Sequence, residues 1–491
     1  MGISFDGQRI RLAFDAAGGE GSIVLKDGDR TLFDGAVGRL SLEVDAASFG
    51  VPEALTDLLG QSLPPLSDYS TEAFTPLDLP FIGLATLRFT GSTGRWTEPA
   101  VLGSQLLPLP LMAGAIHYAQ SVFEGSKVYF VRTDDGLVAR TFRNEMNAAR
   151  MWRSAIALGI PLDKATIQGA TGYEAFRALY GELVQRAVSA NVEAGLFEGD
   201  FAPLDPRDPG FSFRSAPAAV YVRPVLFASG PVLGVKPADH YTFGVYVTPV
   251  GKYRADLVLK VERDKPRAWP GGTGAAKAAC NYAPTLPMMA ALKANKKNPP
   301  AGSVWTDLHD DILFLDTDGN VEEMGGANFF VIEAQADGPP TLRTPPALHD
   351  DPNADRILPG VTRASVLAIG ETMGLDVRVE ELPLGELIGK SDADKRQLAV
   401  FTTGTAAAIA PVLALNDGGT VHQFAAWDSV HDDARLRAID ADDAPEGSAL
   451  AAGHRLRELL FRVQLGVLTS DDAALARETA DWCHQWSVNA D

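Results

Sequence analysis

The stretch Trp269-Pro-Gly-Gly-Thr-Gly-Ala-Ala-Lys277-Ala-Ala-Cys-Asn-Tyr282 sets one lysine among small residues, where a bulky cofactor can approach the backbone closely. A lysine that acts as a nucleophile must first lose its proton, and partial burial without an acidic neighbour lowers its pKa. The ordinary alternative is a solvated lysine after a glycine turn, the fate of most lysines. Two phosphate-loop readings fail. A Walker-type loop needs Gly before the Lys and Ser or Thr after it, whereas Ala276 and Ala278 stand there. A dinucleotide fingerprint needs its third glycine where Lys277 stands.

Around this stretch lie 491 residues, enough for two or three domains with substantial cores. Hydrophobic residues make up 46% and charged ones 22%, an ordinary globular balance. The formal net charge of −20 repels phosphate backbones and anionic lipid, which argues against nucleic-acid and membrane-surface partners. Two distant cysteines, Cys280 and Cys483, can build neither a disulfide framework nor a cysteine zinc site. The start, MGISFDGQRIR, lacks the apolar core of a signal peptide, and Asp6 breaks the myristoylation pattern. The apolar run from Ala406 to Leu415 falls short of the ~20 residues a membrane span needs. A soluble cytoplasmic protein is expected.

Turn and periodicity signals divide the chain. Residues 1–80 read as a β-rich appendage with a hairpin at Lys26-Asp-Gly-Asp29, then a connector. Residues 81–228 read as a small α/β domain. Val128–Arg132 and Leu137–Phe142 are predicted strands, and a helix follows from Asn144 to Leu158, with Asn144 as N-cap and Gly159 past its end. Tyr173–Ala194 is a second helix, Phe197–Pro217 a loop and Val220–Phe227 a buried strand. Residues 229–240, opening on Ser229-Gly-Pro231, read as an interdomain linker. Residues 241–466 form a larger domain and 467–491 a helical tail begun by Ser470-Asp-Asp472.

The lysine stretch resembles the cofactor-lysine motif of branched-chain aminotransferases, which are fold-type IV pyridoxal-phosphate enzymes. Further stretches agree in order: Tyr118-Ala-Gln-Ser-Val-Phe-Glu-Gly125, Arg150-Met-Trp-Arg-Ser-Ala155, Tyr221-Val-Arg-Pro224, Glu322-Glu-Met-Gly-Gly-Ala-Asn-Phe-Phe330, Ile357-Leu-Pro-Gly-Val-Thr-Arg363 and Gly404-Thr-Ala-Ala407. They span about residues 80 to 466. The resemblance implies an α/β fold with a small mixed-sheet N-terminal domain, a larger pseudo-barrel C-terminal domain and pyridoxal 5'-phosphate between them. It also implies a homodimer or an assembly of dimers. The implied reaction moves an amino group between Leu, Ile or Val and 2-oxoglutarate, giving branched-chain 2-oxo acids and glutamate. Rival readings are a D-amino-acid or amine transaminase, a pyridoxal-phosphate lyase, and a non-catalytic binding protein.

The resemblance also assigns roles. Lys277 would hold the cofactor and, once released, move the reacting proton. Glu323 would pair with the ring nitrogen, with Glu322 as the exposed neighbour; without the resemblance, both glutamates read as a solvated strand after the hairpin Asp316–Asn320. Tyr282 would hydrogen-bond the phenolic oxygen. Arg150, the N–H groups of Val361 and Thr362 at a helix start, and the Thr405 hydroxyl would bind phosphate. Tyr118, Phe123 and Tyr221 would line the substrate pocket, Arg223 would clamp a carboxylate, and backbone N–H groups around Ala406 and Ala407 would assist. Ala327 is smaller than the family pattern, and the redox Cys-x-x-Cys of some relatives is absent. Cys280 reads as packing, and His309 and His349 show no metal-ligand spacing.

Overall fold

A computed structural model of the chain describes residues 81–488 apart from 104–106, 108, 197–202, 207–218, 251–255, 352 and 428–443, together with the backbone of five strands before residue 46. The expected connector at 48–80 and most of the loop at 197–217 lie outside the described residues. Near the N-terminus, Gly2–Phe5, Arg9–Asp15 and Arg39–Asp45 pair antiparallel, and Gly21–Asp27 pairs with Arg30–Val37 about the expected hairpin turn.

Two larger sheets follow. The first runs in the order Ala170–Thr171, Ala165–Ile167, Thr93–Trp96, Ile82–Thr90, His240–Val250, Ala219–Ala228, Ser126–Thr133, Gly136–Phe142 and Cys483–Ser487. The helix Gly172–Glu193 packs on it through Phe176, Leu179, Tyr180, Leu183 and Val184, a spacing of three and four residues that makes one apolar stripe. In the second sheet, Leu257–Glu262, Asp311–Leu315, Val321–Met324, Ala327–Glu333, Ala399–Gly404 and Ala408–Asp417 form a closed ring. Closure comes from Val321–Met324, which pairs with Asp311–Leu315 on one side and Ala327–Glu333 on the other. A sheet closed this way has covered strands and no open edge, so Val321–Met324 is buried along its whole length.

Four expectations need correction. The segment 229–240 is not a linker between sheets: it joins Ala219–Ala228 to His240–Val250, neighbours in one sheet, and the chain changes sheets after Val250. Tyr241, Phe243, Val245 and Val247 are buried there, so this strand needs partners on both sides, whereas a Gly-Pro turn alone does not tell a linker from a wide loop. The helical tail stops early. Helix Ala473–Glu478 is short, and Cys483–Ser487 is a strand paired with Gly136–Phe142, a tertiary contact that overrides local propensity. Asn144 is the first helical residue rather than the cap, because Arg143 takes the left-handed conformation (φ 48°) and donates its N–H to the Trp482 carbonyl. Glu322, expected on a solvated face, is 3% exposed.

Candidate active site

The lysine loop is pinned before its lysine is presented. Asn281 donates to the carbonyls of Thr273 and Ala276 at 2.7 and 2.8 Å, while the Thr273 hydroxyl donates back to Asn281 Oδ1 at 2.6 Å. Gly274 is required by a close approach: a Cβ there would lie 2.6 Å from Arg356 Cα and 2.7 Å from Ala268 Cβ. Lys277 then bridges the two halves of the molecule. Its N–H donates to Ser154 Oγ at 2.9 Å, and its carbonyl accepts from Phe123 N at 3.0 Å. The free end, Nζ, donates to the Tyr282 hydroxyl at 3.2 Å and lies 4.9 Å from the centre of the Phe123 ring.

Glu323 is also 3% exposed. Its Oε1 takes an ion pair from Arg267 Nη2 at 2.7 Å and the Leu358 N–H at 3.0 Å, and its Oε2 accepts from Asn328 at 2.9 Å. Burial raises its pKa, opposed by the Arg267 guanidinium and the Leu358 N–H. Arg267, itself buried, also donates to the Gly274 carbonyl at 2.7 Å and to the Arg356 carbonyl. It therefore ties the glutamate to the lysine loop.

Arg150 and Ser154 share the buried face of helix Asn144–Ala157, one turn apart. The Arg150 guanidinium makes two parallel 2.7 Å bonds to the fully buried Glu124 and a third, of 3.1 Å, to the Pro359 carbonyl. Burial disfavours the charge on Glu124, yet Arg150 and the Asn147 amide hold its carboxyl below the usual range. Helix Val361–Thr372 begins beside Arg150 with Gly360 as its cap, and a Cβ on Gly360 would lie 2.0 Å from Asn328 Oδ1. The Thr405 hydroxyl donates to the Gly125 carbonyl at 2.9 Å.

These parts converge. Arg150, Lys277, Tyr282, Glu323, Val361, Thr362 and Thr405, all named from the sequence, line one cavity open to solvent with Arg267, Asn328 and Ala327. The residues expected on the substrate side lie outside that lining, with Phe123 next to it. Phe123 packs against Tyr282 with ring centres 5.1 Å apart, and Arg223 lies over the Phe123 ring at 4.9 Å. Arg223 reaches the Tyr221 hydroxyl at 3.5 Å, and Gly125 leaves room for that hydroxyl, which would come within 1.8 Å of a Cβ. Ala406 and Ala407 sit half-buried in the turn after Ala399–Gly404. Tyr118 donates its hydroxyl to the Leu233 carbonyl, away from Lys277 and Glu323.

Sequence reasoning missed Arg267, Glu124, Asn328, Ser154 and Asn281. All but Arg267 lay inside the quoted motifs, so the signal existed but their roles did not. Arg267 lies two residues upstream of the lysine stretch.

The family profile described as Amino-transferase class IV matches residues 213–415, the span that carries Lys277, Glu323 and Val361. The chain is 36% identical over 333 residues to branched-chain-amino-acid transaminase 1 of Bacillus subtilis, covering 66% of this chain and 77% of that protein. It is 32% identical over 306 residues to the chloroplastic branched-chain-amino-acid aminotransferase 3 of Arabidopsis thaliana, 61% of this chain and 59% of that protein. The branched-chain aminotransferase of the archaeon Thermoproteus uzoniensis, solved with norvaline, has the same fold. It superposes with a TM-score of 0.51 at 21% identity, covering 79% of this chain and 96% of that one. The chain belongs to the class IV aminotransferases. Within that class it is a member of the branched-chain aminotransferase family, and its fold is fold type IV.

Proposed function

We propose that this chain transfers the amino group of a branched-chain L-amino acid to 2-oxoglutarate, with pyridoxal phosphate in the cavity lined by Lys277 and Glu323. The observation that carries the reading is Lys277 Nζ, held 3.2 Å from the Tyr282 hydroxyl in the same cavity as the buried Glu323 carboxylate and a helix N-terminus. The donor and acceptor inventory fits the cofactor. Three bonds fill most of the acceptor sites of Glu323 and leave one lone pair on Oε2 for a protonated ring nitrogen. Arg150 keeps two N–H groups beyond those given to Glu124 and Pro359, and with the free N–H groups of Val361 and Thr362 they suit a phosphate. Thr405 joins them by turning its hydroxyl from Gly125. When bound, pyridoxal phosphate supplies an aldehyde that takes up the amino group and a ring that withdraws electrons.

The protein's own groups do the rest. The Tyr282 hydroxyl orients Lys277 Nζ, which carries the proton taken from the substrate Cα. Glu323 holds positive charge at the ring nitrogen, and the Arg267 guanidinium opposes the upward push that burial gives to its pKa. Phe123, Tyr221 and Ala327 offer apolar surface to an aliphatic side chain, and Arg223 takes the distal carboxylate of glutamate. The working unit in this reading is a homodimer. Leu111, Met112, Ile116, Leu233 and Val235 are exposed around Tyr118, and a second copy that covers them brings Tyr118 into a shared substrate wall. No helix among the described residues is long and apolar enough to cross a membrane. Cys280 and Cys483 are free thiols, in keeping with a reducing cytoplasm.

The test is the absorption spectrum of the purified protein with cofactor. A band at ~410–430 nm, shifted by L-leucine to ~330 nm and restored by 2-oxoglutarate, is expected. A band moved only by D-alanine or an amine would replace the substrate assignment. Failure to reconstitute any band would leave a binding protein.

A further inference from the structure

Glu322 and Glu323 are neighbours on strand Val321–Met324, so their side chains leave opposite faces. Glu323 enters the cavity. Glu322 is just as buried, yet its one ion pair is with Arg356, whose Nε lies 3.0 Å from Oε1, and neither carboxylate oxygen makes a well-formed hydrogen bond among the described residues. A buried carboxylate held by a single partner is costly compared with an apolar side chain.

Arg356 belongs to a loop that serves the cavity. Its carbonyl accepts from Arg267, and its Cα closes against Gly274. Asp355, beside it, accepts the Gly271 N–H at 2.5 Å, and Leu358, two residues on, donates to Glu323 at 3.0 Å. One short loop therefore touches both the lysine loop and the ring-facing carboxylate, and Glu322 ion-pairs with that loop from the opposite side, at 3.0 Å against 3.6 Å for Asp316, the other carboxylate near Arg356.

We propose that Glu322 is a positioning residue for the reaction: its carboxylate anchors Arg356 and thereby fixes the loop that orients Glu323 and the lysine loop. This rests on the function assigned above to the cavity. The charged groups facing Glu322 are Arg356 and Arg267, which favour its ionised form, and Glu323 and Asp316, which oppose it. Burial is the largest influence and pushes its pKa up to about 7. The anchor is therefore ionised above neutrality and released below it.

The experiment compares wild type, Glu322→Gln and Glu322→Asp in apo and cofactor-loaded forms. In the apo protein, amide hydrogen exchange at Leu358, corrected for intrinsic chemistry, is expected to quicken roughly tenfold as pH falls through neutrality. Glu322→Gln should exchange fast at every pH, and Glu322→Asp should restore part of the protection. In the loaded form, a near-neutral step in the pH profile of the visible band should vanish in Glu322→Gln. Exchange and band profiles that superpose on wild type would overturn the proposal, even with a lowered melting temperature. If Glu322→Gln fails to fold, a wild-type Leu358 exchange rate without a step near neutrality overturns it equally. A wild-type protein that never develops a band sinks the cofactor reading instead, and the apo exchange still decides whether Glu322 holds the loop.

Discussion

The two walls of the cavity are held with different stringency. On the wall made by the barrel and the lysine loop, Glu323 accepts from Arg267, Leu358 and Asn328, and Asn281 staples the loop at two carbonyls. On the side of the first sheet, just outside the cavity lining, Arg223 makes one long 3.5 Å bond to Tyr221 and otherwise rests over the Phe123 and Tyr221 rings at 4.9 and 5.2 Å. A group tied by several bonds keeps its orientation when a reacting molecule arrives, whereas one tied by a single bond can turn to meet it. The first wall suits a resident cofactor, and the second suits substrates of two kinds that come and go.

Lys277→Ala tests the tight wall most severely. The visible band and the transamination rate should both disappear, the rate by roughly 10³-fold or more. Unfolding should stay nearly unchanged, because the Lys277 contacts to Ser154 and Phe123 are made by its backbone. A band that survives would place the cofactor elsewhere.

Glu124→Gln should strike stability rather than chemistry. It leaves the buried Arg150 charge without its partner, a change of about 3–5 kcal/mol in denaturant unfolding. The sign of the pH effect follows from the depressed Glu124 pKa. Its ion pair stabilises the fold fully above the unfolded value of 4.5 and less as pH falls through the lower folded value. Wild type should therefore lose stability on acidification more steeply than Glu124→Gln. Equal slopes would mean that this pair does not hold the wall together.

Arg223→Gln probes the loose wall. The Gln amide can replace one of the two guanidinium donors, so KM for 2-oxoglutarate should rise about tenfold, the effect of one lost charged hydrogen bond. The half-reaction with L-leucine, which has no distal carboxylate, should keep its rate. An equal loss with both substrates would make Arg223 part of the fixed wall and end the distinction.

How far each wall could be read from sequence follows from the same difference. The lysine loop was legible because only small residues fit where its backbone meets Arg356 and Ala268, and small residues are visible in a sequence. The closure of the barrel was not, since local pattern does not tell that Val321–Met324 has partners on both edges. Alternation placed Glu322 and Glu323 on opposite faces, but it does not say which face is wet, and here neither is. Arg267 went unnoticed because its value comes from Glu323, more than fifty positions away. Ser470-Asp-Asp472 did announce a helix, but the strand after it exists only through pairing with Gly136–Phe142.

The smallest effect expected comes from Tyr282→Phe. The ring keeps its contact with Phe123 at 5.1 Å, so the wall stays packed, and only the hydroxyl that receives Lys277 Nζ at 3.2 Å is lost. One neutral hydrogen bond is worth about 0.5–1.5 kcal/mol, so kcat should fall by up to about tenfold with the visible band retained. The melting temperature should not move, since the hydroxyl serves the cavity rather than the core. A loss that approaches that of Lys277→Ala would show that this oxygen moves a proton itself instead of orienting the amine. The tight wall would then be chemical machinery at a second residue, and the orientation it supplies would explain less of the rate.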